Sequence, residues 1–191
     1  CSLAAYVFTR LEFKGRNIVF ILYLSTMMIP ITVRLIPSYN LCRNLNMLDT
    51  YMGMILPQVA WSIPFGTFLM RQFYMGIPKQ LDEAAKIDGA NHFQIFWKIL
   101  LPNTKSSMTT LGIYTFISAW NNLIWMLLSV RSESKWTVTL GISSICGASV
   151  IKQPTWNLIM GVIVIGMIPV LILFFAFQKY FMQSVAATGI K

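Results

Sequence analysis

Residues 77–102 read IPKQLDEAAKIDGANHFQIFWKILLP, the one amphipathic, charged stretch in an otherwise apolar chain. Pro78 suits a first helical turn, and Leu81, Ala84 and Ala85 recur at i, i+3 and i+4, which predicts a short helix with one small-residue face. Asp88-Gly89 stops it, since Gly89 can take the left-handed conformation that ends a helix. Asn91 suits the cap of a second helix, in which Phe93, Phe96, Trp97 and Leu100 recur at i, i+3, i+4 and i+7 before Pro102 closes it. The predicted unit is helix, tight turn, helix, with an aromatic stripe larger than the segment can bury alone. Such a stripe suits either a partner groove or the headgroup layer of a membrane.

On either side the charges vanish. Residues 50–70 and 106–130 carry none, and neither do 17–33 and 153–178. A spanning helix needs about 20 mostly apolar residues, so these four stretches are predicted spans, with 17–33 helped by Arg34, close enough to its end to snorkel to the interface. Residues 1–9 read as the tail of a further membrane helix, and 136–151, shorter and dotted with Gly and Ser, as an external or re-entrant segment. Pro30, Pro37, Pro57, Pro64 and Pro169 interrupt or bound these stretches and predict kinked, mutually packed helices. The fold class is therefore all-α, a polytopic membrane helix bundle.

Composition agrees. The 191 residues are 56% hydrophobic and 11% charged, against about 25% charged in a soluble domain. The net charge of +9 comes from scarce acids, not from clustered bases, which argues against a nucleic-acid partner and for membrane lipid. Ten basic residues fall in the segments around 10–16, 71–105 and 178–191, and five on the alternate faces. The positive-inside rule then puts 77–102 and the tail 178–191 in the cytoplasm. All six acids lie outside the predicted spans, which weakens a proton-driven carrier. Cys1, Cys42 and Cys146 lack metal-ligand spacing; they read as small apolar fillers, with a Cys42–Cys146 disulfide as the alternative. His92, the only histidine, has no second ligand or nucleophile and suits capping or docking. No catalytic constellation, metal set or cofactor motif is present, and no GxxxxGK[ST] loop, so energy from ATP would have to come from another polypeptide.

Glu83-Ala84-Ala85, three residues, Gly89, nine residues, Ile99, one residue and Leu101-Pro102 resemble the EAA loop of binding-protein-dependent ABC importer permeases. Further features are similar to the sugar-importing branch, of the maltose-importer membrane subunit type: Ala4-Ala5-Tyr6 before Arg10, Ile36-Pro37 before Tyr39, Ile77-Pro78, Ile87-Asp88-Gly89-Ala90, and Trp120-Asn121. The resemblance covers essentially the whole chain, 1–191. It implies the type-1, methionine-importer-like permease fold with six helices, of which this chain would lack the first and part of the second. It also implies a multi-pass plasma membrane protein with a cytoplasmic C-terminus. The 77–102 element would then be the coupling helix, docking in a cleft of a cytoplasmic ATPase through Glu83, Ala84, Ala85, Asp88, Gly89, Ala90, Phe93, Phe96, Ile99, Leu101 and Pro102. Further implied partners are a second permease subunit, forming a heterodimer, and an extracytoplasmic solute-binding protein. Gly189 and Lys191 resemble a tail ending that reaches the ATPase.

The solute is less legible. Gln58, Trp61, Trp120, Asn121 and Asn122 suit a sugar pathway, since rings stack on apolar sugar faces and amides bond hydroxyls. The same residues equally suit interfacial anchoring and helix-helix hydrogen bonds. Family members often carry an acid after the Trp-Asn pair, where this chain has Asn122. Carbohydrate import is the expected function. A sugar phosphate as solute, or a membrane scaffold or receptor that binds a cytoplasmic partner without transport, are the alternatives.

Overall fold

The computed structural model describes residues 1–152 and 156–188, with side chains described for 1–147 and 156–178. The helices are α1 (Ser2–Arg10), α2 (Arg16–Ser25), α3 (Ile31–Asn44), α4 (Tyr51–Met75), α5 (Gln80–Ile87), α6 (His92–Ile95), α7 (Leu101–Asn103), α8 (Lys105–Trp120), α9 (Leu123–Ser129), α10 (Val138–Lys152) and α11 (Trp156–Thr188). No strand occurs among the described residues, as the all-α reading requires. By length and composition Tyr51–Met75 and Trp156–Gln178 can each cross a membrane, and α8 with α9 can do so as one bent pair. Pro57, Pro64 and Pro169 do not break their helices.

Two predicted spans are not single straight helices. The 17–33 stretch is not one helix: α2 ends at Ser25, one tight turn follows over Thr26–Met28, and the chain extends at Ile29 (ψ 117°) before a new helix starts at Ile31. Pro30 imposes this, because its ring disfavours helical backbone in the residue before it. The 106–130 stretch bends by 53° between α8 and α9. There Asn122 leaves the helical conformation (φ −80°, ψ 77°) and its side chain accepts from the Trp125 N–H, capping α9. The 136–151 segment is helical for most of its length, as α10, and its apolar part is too short to span alone.

The chain divides into two compact units. The first comprises Cys1–Ile29, Ala60–Gly112 and Lys179–Lys191. Its core is Ala5 and Tyr6 from α1, Met70 and Tyr74 from α4, Ala85 from α5, and Ile95, Phe96 and Leu100 from the second helix of the loop. Burying side chains such as Met70, Phe96 and Leu100 is worth roughly 1.5–3 kcal/mol each.

The second unit comprises Pro30–Val59 and Ile113–Gln178. Its centre is Trp125, fully buried, whose indole N–H donates to the Gly53 carbonyl at 3.0 Å. Gly53 admits nothing larger, since a Cβ there would lie 2.0 Å from the Met47 carbonyl oxygen. Beside it Asp49, itself in the left-handed region at φ 56°, gathers the 131–135 loop. Oδ1 accepts from the Arg131 and Ser132 amides, both at 3.0 Å, and Oδ2 from the Ser132 hydroxyl and Lys135 Nζ. These donors, Ser132 first, hold the Asp49 carboxyl far below the usual carboxylate range. Cys1, Cys42 and Cys146 are free thiols, so the Cys42–Cys146 disulfide is not formed.

Two outcomes follow from this second unit. Gly53→Ala should destabilise the protein by about 1–3 kcal/mol or more, as overpacking against rigid backbone does, read as a lowered midpoint in thermal unfolding of the purified protein. A depressed pKa contributes stability that is complete above the unfolded value, near 3.9, and is lost only as pH falls through the lower folded value. Hydrogen exchange at the Arg131 and Ser132 amides should therefore stay slow down to about pH 4, and Asp49→Asn should speed it at neutral pH; unchanged exchange in that variant would remove the clamp.

Candidate functional site

The 77–102 segment folds as helix, turn and helix, as read. Lys79 precedes α5, Asp82 and Glu83 sit in its first turn where negative charge favours the helix N-terminus, and Lys86 lies in its last. Gly89 has φ +81°, and a Cβ there would meet nothing within 4 Å. The glycine is thus demanded by backbone conformation and not by crowding. Asn91 caps the second helix in a reciprocal box: its Oδ1 accepts from the Gln94 N–H and the Gln94 Oε1 accepts from the Asn91 N–H, both at 2.9 Å.

The buried residues of α5 are Asp82 and Ala85, so the predicted small-residue face is divided between core and surface. Leu81 and Ala84 are exposed, and Ile87 is 87% exposed. The aromatic stripe also divides. Phe96–Leu100 is a π-helical turn, whose wider spacing re-aims the side chains that follow it. Ile95, Phe96 and Leu100 are buried, whereas Phe93 and Trp97 are exposed and meet edge to face at 6.0 Å. Of the other motif residues, Glu83, Asp88, Gly89 and Pro102 are exposed, and Ala90, Ile99 and Leu101 are half-buried against the core.

What anchors α5 is a charge pair that periodicity does not reveal. Arg10, the last residue of α1, places Nε 2.7 Å from Asp82 Oδ2, with both side chains nearly out of solvent. Its Nη2 donates to the Ile77 carbonyl at 2.8 Å. Burial pushes the Asp82 carboxyl up, and Arg10 offsets that only in part. The pairing is incomplete, because Asp82 Oδ1 is buried without a hydrogen-bond partner among the described residues. A second tie joins α1 to the second helix of the loop: the Tyr6 hydroxyl lies 3.1 Å from His92 Nδ1, and the Tyr6 ring packs on Phe96 at 5.5 Å. His92 thus docks within the chain. Beside these ties lies a cavity of about 720 Å³ lined by Arg10, Glu12, Lys79, Glu83, Lys86 and His92, among others.

The expected pathway residues fall less neatly together. In the second unit the Asn122 Nδ2 donates to Gln58 Oε1 at 2.9 Å, so these two amides form one polar group. Trp120 commits its indole N–H to the Gly166 carbonyl at 3.3 Å and stacks on Phe116 at 5.6 Å, while Asn121 is exposed. Trp61 is half-buried in the first unit. Gly189 and Lys191 lie outside the described residues.

The sequence is 34% identical, over all of this chain and 66% of the relative, to the arabinooligosaccharides transport system permease protein AraQ of Bacillus subtilis (strain 168). It is 38% identical, over 95% of this chain and 64% of the relative, to the sn-glycerol-3-phosphate transport system permease protein UgpE of Yersinia enterocolitica. The chain thus spans just under two thirds of the length of these curated relatives. In structure it is similar to a chain in the crystal structure of a bacterial ABC transporter involved in the import of the acidic polysaccharide alginate, with a TM-score of 0.79 and 28% identity over 94% of this chain and 67% of that one. A family model described as the binding-protein-dependent transport system inner membrane component matches residues 2–187, and with that match the chain belongs to this family of ABC importer permeases.

Proposed function

We propose that the chain is a permease subunit of an ATP-driven importer, forms part of the membrane path for a carbohydrate, and couples to a separate ATPase through residues 77–102. The observation that carries this is the complete EAA spacing folded as helix, left-handed glycine and capped helix, with its outer face unburied. The family is one of inner membrane transport components and not of enzymes. The ATPase cleft is met by the exposed side of α5, with Leu81, Ala84 and Ile87 as its apolar contacts and Glu83, Asp88 and Gly89 beside them. Ala85, Ala90, Phe96, Ile99 and Leu101 hold that face in place from the core side, and Phe93 and Trp97 extend it. Such a pattern of apolar knobs on a rigid support suits a hydrophobic groove.

The charge distribution supports a cytoplasmic loop and C-terminus, and the likeness of the tail ending to that of sugar permeases supports Gly189 and Lys191 as a second ATPase contact. Partners are the ATPase subunits, a second permease and an external solute-binding protein. Transport follows alternating access: the loaded receptor and the nucleotide state each favour a different conformation, and only that differential affinity shifts the equilibrium. Gln58 and Asn122, with Trp120 and Asn121, line the path for hydroxyl-rich solute. A sugar phosphate or related phosphate ester is the second reading, favoured by the 38% identity to UgpE.

Gly89→Val forces a β-branched residue into the left-handed region at a cost of about 1–2 kcal/mol without filling occupied space. ATP hydrolysis by the assembled transporter should continue while solute uptake per ATP falls; uptake equal to wild type would overturn the coupling role. Arg10→Ala strands a buried carboxylate and should cost about 3–5 kcal/mol. Replacing both partners, Arg10→Met with Asp82→Leu, should recover most of that loss in unfolding measurements.

A further inference from the structure

On the face of the first unit where the ends of α1, α2 and α4 meet, a cavity of about 370 Å³ is lined by Arg10, Arg16, Arg71 and Lys79 together with apolar Phe8 and Met75. Among the described residues no carboxylate lines it. Arg10 is neutralised by Asp82, so three positive charges face one space. Arg71 has few partners of its own: its guanidinium stacks over the Phe20 ring at 4.4 Å, and its Nε is buried with no hydrogen-bond acceptor among the described residues. Stacking fixes the plane of the fork and leaves its outer edge for an anion. Arg16 donates from Nη1 to the Leu11 carbonyl at 3.2 Å, which pins its stem.

We infer that this cavity binds the phosphate of an anionic lipid headgroup at the cytoplasmic face of the membrane. Position selects a lipid over a soluble anion. Met75 ends the apolar helix α4 and Arg16 begins the apolar helix α2, so the cations sit at the level where a span leaves the hydrocarbon. Phe8 and Met75 offer apolar surface to the glycerol and upper acyl chain, and basic pockets between helices on the cytoplasmic side suit anionic headgroups. The site rests on the membrane orientation proposed above but not on coupling to an ATPase.

The test uses the assembled transporter with the full-length chain, in nanodiscs of phosphatidylcholine containing a minority of phosphatidylglycerol, with retained lipid counted by native mass spectrometry. Each neutralised cation should lower phosphatidylglycerol retention about fivefold relative to phosphatidylcholine. Lys79→Gln, at an exposed position that disturbs no packing, should show one such step, and Arg16→Gln with Arg71→Gln two. Lys14→Gln removes an exposed cation outside the cavity and should change nothing. Retention unchanged in Lys79→Gln and in the double variant would overturn the site, as would an equal loss in Lys14→Gln. Displacement of the lipid by inorganic phosphate alone would assign the cavity to a free anion instead. Gly89→Val should retain lipid as wild type does, so a failure of coupling and a failure of this site are read separately.

Discussion

Asp82 is a carboxylate held out of water, and the organisation of the first unit follows from how its charge is met. A buried ion must be paired or neutralised. Arg10 is the pair, and reaching it fixes the end of α1 against the first turn of α5. The bond from Arg10 to the Ile77 carbonyl sets where the chain leaves α4, and Tyr6 with His92 repeats the tie one turn earlier along α1. Replacing such a pair by well-packed apolar residues is often neutral or stabilising, so bulk stability does not account for keeping it. What the pair supplies is register: only one placement of α5 brings the two charges together. Under the proposed function, that register fixes which side of α5 is offered outward.

The second unit solves a related problem with one acid. Asp49 stands at a backbone conformation that asparagine and aspartate tolerate better than most residues, and from there it collects two amides, a hydroxyl and an ammonium. A chain with only six acids has placed two of them where each organises a loop. That economy suits a membrane protein, in which charge is costly except where water or a partner can meet it.

Helix content, the loop's turn and its cap were legible because each depends on local chemistry. Gly89, Asn91 and Pro30 act on their own backbone, and their effects need no knowledge of what lies across the fold. Even so, the break at Pro30 was hidden by the absence of charge over 17–33, since hydropathy counts length without asking whether the backbone can stay helical. The faces of α5 and of the second loop helix were not legible. Asp82 looks like an exposed charge until Arg10, far away in sequence, is placed beside it, and a π-helical turn shifts the side-chain directions that a period of 3.6 assumes. Asp49 gave only a weak signal: an acid next to a predicted span, whose partners lie more than 80 residues further on.

Position 122 shows how a neutral group can do two jobs at a bend between apolar helices. Its carbonyl caps α9 and its amide nitrogen donates to Gln58, so both ends of one side chain are used where the α8–α9 pair bends. An aspartate would cap as well as asparagine does, but it would bring a charge needing its own cation, and it could not donate to the Gln58 oxygen. The amide pair leaves the bend polar yet uncharged. Under the proposed function, that neutrality neither repels an anionic solute nor demands a cationic one, and the Gln58 amide hydrogens, without an acceptor among the described residues, suit a hydroxyl or a phosphate oxygen alike. Selection between a sugar and its phosphate must then come from groups other than this pair.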